Sequence, residues 1–298
     1  MKTKKTLAIF ALLAAVMMAA TFTACSNEDN SIVDKPTLGT NVTWDINTQG
    51  DAIVPAGEKW IITGNGEETL SYITIGDGAT VTLSGVNIDA WNAKDPNHVG
   101  DIPAITCLGD ATIILADGTM NILNGHSYPG IAVPTDKKFG TLTIKGNGSL
   151  EARCSNGAGI DCPWNNKDNL GVKMDCGNIV IEGGNITVTG SQEAPGIGSS
   201  GTNKCGDITI KGGNVTAIGG FGPGIGSCGF GACGNITITG ANVTATGGDW
   251  GPAIGCCDLG ILETCGTITI GGTVYWDGWD YVNGGEAYLR TNPFIYKP

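Results

Sequence analysis

The sequence predicts an all-β protein: a single-stranded, right-handed parallel β-helix of about seven coils with capping ends. Three observations carry that expectation. Residues 176–275 write one phrase four times: CGNIVIEGGNITVTGSQEAPGIGSS from Cys176, CGDITIKGGNVTAIGGFGPGIGSC from Cys205, CGNITITGANVTATGGDWGPAIGCC from Cys233 and CGTITIGGTVYW from Cys265. The spacing of those four starts falls in the range that marks stacked repeats. Within a copy the apolar residues alternate, as Ile179 and Ile181, then Ile186 and Val188, and Gly pairs punctuate them; this is the grammar of short strands joined by tight corners. Finally, nothing beyond Cys25 carries a long helical period. Three short strands per unit, each with one side to bury, suit a coil that stacks on its neighbours, and parallel crossovers are overwhelmingly right-handed.

Taken in order, residues 1–25 read as a processed leader rather than as part of the fold. Lys2, Lys4 and Lys5 form a basic start, and Leu7–Ala20 is an apolar run short for a bilayer. Phe22-Thr23-Ala24-Cys25 resembles the lipobox of bacterial lipoproteins, although Phe22 replaces the usual aliphatic residue. The resemblance implies cleavage before Cys25 and lipidation of that cysteine, which would make it an acyl anchor in the outer membrane. Ser26 is compatible with that sorting, and Asn27-Glu28-Asp29 resembles the acidic tag of surface-exposed lipoproteins of Gram-negative anaerobes. Residues 26–40, polar and ending in Pro36 and Gly39, read as a flexible tether.

From residue 41 the strand signals begin, at Val42-Thr43-Trp44, Ala52-Ile53-Val54 and Trp60-Ile61-Ile62, without the glycine grammar of the later copies. Terminal units of a solenoid are atypical because they shield the open core, so 41–69 reads as an N-terminal cap with the first irregular coil. Degenerate copies follow, from Tyr72–Ile75 to Ile105, from Ala111–Leu115 to Ile131, and from Gly140–Ile144 to Ile160. With the four clear copies they give the β-helix of 70–275, a stack about 30–35 Å long at roughly 4.8 Å per coil. Residues 276–298 hold Trp276, Trp279, Tyr281, Tyr288, Phe294 and Tyr296 and read as an aromatic C-terminal cap. Outward Thr columns, Thr209, Thr237 and Thr269 with Thr187, Thr216 and Thr244, read as the β-branched polar residues a solvated strand prefers.

Composition excludes several functions. The chain has 298 residues, 49 of them Gly, without the three-residue period of collagen. Its formal charge of −12 becomes −15 once the leader's lysines are removed, and only Arg153 and Arg290 supply guanidinium groups. Such a body repels phosphates, so nucleic acid is not an expected partner; a membrane is expected only through the lipid anchor.

Ten cysteines remain after Cys25. Cys176, Cys205, Cys233 and Cys265 occupy one phase of the repeat, a slot that earlier units fill with Leu70, Asp110 and Phe139, and they read as a ladder of small packed residues. Cys228 and Cys257 share another phase one coil apart, within the Cα window of a disulfide, and are the favoured bonded pair. One cysteine per coil, with His98 and His126 as the only histidines, does not make a zinc knuckle; no cofactor is expected.

The loop before each (Pro/Ala)-(Gly/Ala)-Ile step holds the candidate site. In successive coils it carries Trp91, then His126 and Tyr128, then Asn156, then Gln192 and Glu193, then Phe221, then Asp249 and Trp250. Stacked in register, these form one interrupted edge on which rings meet pyranose CH faces while amides and carboxylates take hydroxyls. Catalysis lacks a comparable constellation: Lys145, Lys173 and Lys211 lie near different corners, and Asp101, Asp110, Asp117 and Asp136 read as turn formers.

The CGxITIxGGxVTAxGGxxxPGIG units resemble repeats of β-helical bacterial surface proteins of the carbohydrate-binding-domain type, relatives of the pectate-lyase-like superfamily. The likeness spans about 70–275. It implies a cell-surface lipoprotein that binds polysaccharide without catalysis. A structural or adhesive surface protein is the competing class, and a polysaccharide lyase or glycoside hydrolase the third. Calcium dependence, found in one branch of such proteins, goes with acidic coil corners; this chain carries Gly-Ile-Gly there, so calcium has no motif to support it.

Overall fold

The computed structural model describes residues 42–90, 102–134, 140–162, 175–192, 194–229, 231–257 and 264–298. Cys25, Trp91, Glu193 and the leader and tether lie outside the described residues.

The chain is a right-handed parallel β-helix. Each complete winding visits three sheets in turn. The first sheet stacks Val42–Asp45, Lys59–Thr63, Ala79–Ser84, Ala111–Leu115, Thr141–Gly146, Asn178–Ile181, Ile208–Ile210, Ile236–Ile238 and Ile268–Ile270, all parallel. The second stacks Asn87–Asp89, Met120–Asn124, Ser149–Arg153, Asn185–Thr189, Asn214–Ile218 and Asn242–Thr246. The third stacks Ala52–Val54, Ile73–Ile75, Ile105–Cys107, Ile131–Ala132, Ile160–Asp161, Ile197–Ser199, Ile225–Ser227 and Ile254–Cys256. Its eight strands mean eight windings among the described residues; the first two carry no named strand in the second sheet. Lys204–Cys205, Ala232–Cys233 and Thr264–Cys265 add a short fourth sheet at the last corner.

Register turns the repeat into a core. Ile179, Ile208, Ile236 and Ile268 are successive Cα partners, and so are Ile181, Ile210, Ile238 and Ile270; all eight are at most 2% exposed. Ile105, Ile131, Ile160, Ile197, Ile225 and Ile254 form a third buried file. Along these files inward isoleucines stack on one another, and each contributes roughly 1.5–3 kcal/mol of burial. The second sheet narrows the core with a file of Ala152, Val188, Ala217 and Ala245.

The corners are held by side-chain ladders that alternation does not reveal. Asn178 Oδ1 accepts from Asp207 N, Asp207 Oδ1 from Asn235 N, and Asn235 Oδ1 from Thr267 N, at 2.7–2.9 Å. Lower down, Asp77 Oδ1 takes Asp110 N and Asp110 Oδ1 takes Thr141 N. Each carboxylate or amide satisfies a backbone donor of the next winding, which accounts for Asp110 structurally. At the neighbouring corner the Asn185, Asn214 and Asn242 side chains bond one to the next at 2.7 Å. Asp110 corrects one alignment: Ala111 pairs with Leu142, which sets Asp110 level with Thr141 and outside the cysteine file.

Both ends are closed. Asp45 caps a single helical turn, Ile46–Gln49, accepting from Asn47 N at 3.0 Å, while Ile46 plugs the core. Trp44 and Trp60 stack beside it. At the other end Thr273–Trp276 returns antiparallel on Ile268–Ile270, and Phe294–Tyr296 runs antiparallel on Asn242–Thr246. These reversals end the parallel pairing that would otherwise template another chain. A short helix, Gly285–Arg290, buries Leu289 over the core, and Tyr288 packs between Tyr275 and Phe294. Both helical turns sit where the sequence shows only irregular cap residues, because helices this short cannot display a helical period.

Candidate functional site

Backbone hydrogen bonds tie the candidate loops into one file. Ser155 N donates to His126 O, Ser191 N to Gly157 O, Phe221 N to Gln192 O and Trp250 N to Phe221 O. The segments carrying His126, Asn156, Gln192, Phe221 and Trp250 are therefore stacked in that order. His126 and Gln192 both have positive φ, at 52° and 48°, so each loop turns sharply at its candidate residue.

The upper part of the edge is aromatic. Phe221 and Trp250 lie on adjacent windings with ring centroids 5.0 Å apart and planes 26° apart, and each remains 44% exposed. Each ring is stacked on the other and still keeps nearly half of its residue's surface in solvent. Gln192, one winding below Phe221, and Asp249, beside Trp250, are exposed, so an amide and a carboxylate flank the rings.

The lower part is polar and interlocked. His126 Nε2 lies 2.6 Å from Asp89 Oδ1, and Asn124 Nδ2 contacts both the imidazole at 3.2 Å and Asp89 Oδ2 at 3.4 Å. Asn124 Oδ1 also receives His126 N at 3.2 Å. Arg153 pairs with Glu151 at 3.2 Å on the same winding as exposed Asn156. Tyr128 is half-buried, its N–H bonded to Gly125 O. The structure thus separates a partly exposed ring pair from a His–Asp–Asn cluster whose polar atoms serve each other.

A buried carboxylate lies one corner inward. Asp161 is 2% exposed and accepts from Cys162 N at 2.6 Å, Ser200 Oγ at 2.5 Å, Ser200 N at 3.3 Å and Ala158 N at 3.4 Å. Burial pushes its carboxyl up to about 6, with the four donors opposing that shift. In the sequence Asp161 is one loop acid among several; its burial comes from the Ser200 and Cys162 segments that cover it, which spacing does not reveal. Its folded pKa lies above the ordinary aspartate value, so protonation favours the folded state. That contribution is complete below about pH 4 and lost as pH rises through about 6, at most about 3 kcal/mol from the size of the shift. Stability measured by urea unfolding should fall across that window in the wild type, and the fall should shrink in Asp161→Asn. An unchanged slope in that variant would remove Asp161 as the cause.

The cysteines depart from a simple ladder. Cys205, Cys233 and Cys265 are Cα partners, and Cys176 N bonds to Lys204 O, so the four stand in file. Two of them, however, bond sideways: Cys176 to Cys162 and Cys265 to Cys256. This corrects the packing ladder at half of its rungs. The reason is the corner: the third strand of a winding ends beside the start of the fourth-sheet step, so cysteines 14 and 9 residues apart face each other across the loop. Cys228 is bonded to Cys257, one winding on, with Cα atoms 5.0 Å apart. Cys107, Cys154, Cys205 and Cys233 are buried free thiols, and burial pushes Cys107, Cys154 and Cys233 up to about 12.

The aromatic residues of the C-terminal cap are divided between packed and exposed. Trp276 donates its Nε1 hydrogen to Cys265 O and packs edge-on against Tyr281, whereas Trp279 is 87% exposed. A cavity of about 190 Å³ lies beneath, lined in part by Cys256, Cys265, Trp276, Tyr281 and Arg290.

Comparison with known proteins adds a family model described as a β-helix repeat, which matches residues 179–201, 208–230 and 236–256. No curated protein and no solved structure matches the chain. Three consecutive windings of this protein are therefore β-helix repeats by sequence as well as by structure.

Proposed function

We propose that the protein is a non-catalytic carbohydrate-binding β-helix that takes a polysaccharide along the edge carrying Gln192, Phe221, Asp249 and Trp250. The observation that carries this reading is the exposed Phe221–Trp250 pair, set in register on adjacent windings with polar side chains at its margins. Adjacent exposed rings form a contiguous apolar patch of the kind that marks a binding surface, and a pyranose offers an apolar CH face ringed by hydroxyls, matching apolar rings flanked by amide and carboxylate. Repeating sugars suit a repeating edge, since successive loops offer successive contacts. The acidic body, at −12 overall, favours neutral glycans over polyuronates. Cys25, as the lipidated residue, would anchor the chain at the cell surface of an outer membrane, with residues 26–40 as tether.

The test is a glycan array probed with the chain from Ser26 onward, followed by calorimetry on the hits with and without calcium. Retention of plant or microbial polysaccharides, unaffected by chelation, is the expected result. No retained glycan at high protein concentration would reject the reading, and release of new reducing or unsaturated ends would replace it with an enzymatic one.

A further inference from the structure

Cys233 is a free thiol with two bonded sulfurs as neighbours: its Sγ lies 3.2 Å from Cys265 Sγ and 4.0 Å from Cys256 Sγ. Those three ligand atoms fall within 4.8 Å of one another. A thiol poised for in-line attack on Cys265 would sit on the extension of the disulfide, with the far sulfur about 5 Å away. Cys233 instead flanks the bond, near both sulfurs, which is poor geometry for exchange. Three thiolates around one ion at roughly 2.3 Å stand about 3.8 Å apart, and the distances from Cys233 already bracket that value. Ser227 Oγ, 2.9 Å from Cys256 Sγ, adds an oxygen beside the cluster. The cavity beneath the C-terminal cap is lined by two of the three, Cys256 and Cys265, with Arg290.

We propose that, when the Cys256–Cys265 disulfide is reduced, Cys233, Cys256 and Cys265 form a binding site for one thiophilic metal ion such as Zn²⁺. The proposal is independent of the glycan edge. A dithiol supplies the two electrons and two protons that open the bond to two thiols, and is itself oxidised to a disulfide. The ion then displaces a proton from each of the three sulfurs, leaving a centre of charge −1 for Zn²⁺, with the fourth position open to Ser227 Oγ or to water from the cavity. Oxidation consumes two ligands at once, so the site exists only in the reduced chain. Sequence spacing hides it because its ligands come from two windings, 23 and 9 residues apart, and converge only at the corner.

The experiment uses the full chain, reduced anaerobically with a dithiol, loaded with Zn²⁺, desalted and assayed for bound metal. Cys233→Ser and the half-buried Cys256→Ser are compared with Cys205→Ser, whose native thiol turns to Gly177 O. About one Zn²⁺ per wild-type chain is expected, with at least a tenfold loss in the first two variants and none in the third. Loading with Co²⁺ gives a readout that needs no variant: reduced wild type should show thiolate charge-transfer absorption, and the oxidised chain none. No metal retained by the reduced wild type, or equal retention by Cys233→Ser in a chain with native circular dichroism, would overturn the proposal.

Discussion

Gly226→Ala should lower the stability of the helix by about 4 kcal/mol or more, enough to unfold the central windings. Gly198, Gly226 and Gly255 are Cα partners in the third sheet with φ of 138°, 143° and 135°, a region closed to side-chain-bearing residues. A Cβ on Gly226 would also overlap the carbonyl oxygen of Gly255 in the winding above. Backbone cannot move aside there without opening the pairing on which Ile225 and Ile254 depend. Gly201→Ala provides the contrast: its φ is 67°, yet nothing lies within 4 Å of the added carbon. That variant should cost about 1 kcal/mol from conformation alone. Urea unfolding of the two variants separates close approach from dihedral strain. Similar losses in both would mean that the third sheet is not as tightly stacked as its register implies.

Removing both rings, as Phe221→Ala with Trp250→Ala, should weaken binding of an edge-bound glycan about 100-fold, at roughly 1.4 kcal/mol per ring. Both rings are nearly half exposed, so their loss should scarcely change stability, and calorimetry on the best array ligand isolates the effect. Each single variant should lose at least half of the total free energy. The remaining ring loses its stacking partner, and the pair acts as one platform. Asn156→Ala, two windings below Phe221, should reduce affinity only for longer oligosaccharides, because a short sugar on the ring pair does not reach it. Full binding by the doubly substituted chain would move the site away from this edge.

The core was readable in the sequence because its rule is simple: Ile at every second place, with each winding repeating the phase of the one below. Ile208 and Ile236 needed no structure to be placed inward. The line of the edge was readable for the same reason, since a loop at one phase of the period must stack on its copies. Its internal division was not. That His126 engages Asp89 and Asn124, while Phe221 and Trp250 engage each other, depends on side-chain directions that repeat phase does not specify. Trp91 and Glu193, which belong to the same phase, fall outside the described residues. The sideways disulfides and the burial of Asp161 were hidden for a related reason. Both arise where one strand ends beside the next corner, a proximity set by loop path and not by period. The Asn185–Asn214–Asn242 ladder was present in the letters but resembled ordinary solvated strand ends.

The register of successive windings underlies both the core and the edge, and disulfide mapping under non-reducing conditions tests it most directly. Digestion of the alkylated protein followed by mass spectrometry should recover Cys228 joined to Cys257, 29 residues and one winding away, with Cys205 and Cys233 alkylated only after unfolding. Cys228 bonded instead to Cys205 or Cys233 would place those loops out of phase and contradict the stacked edge.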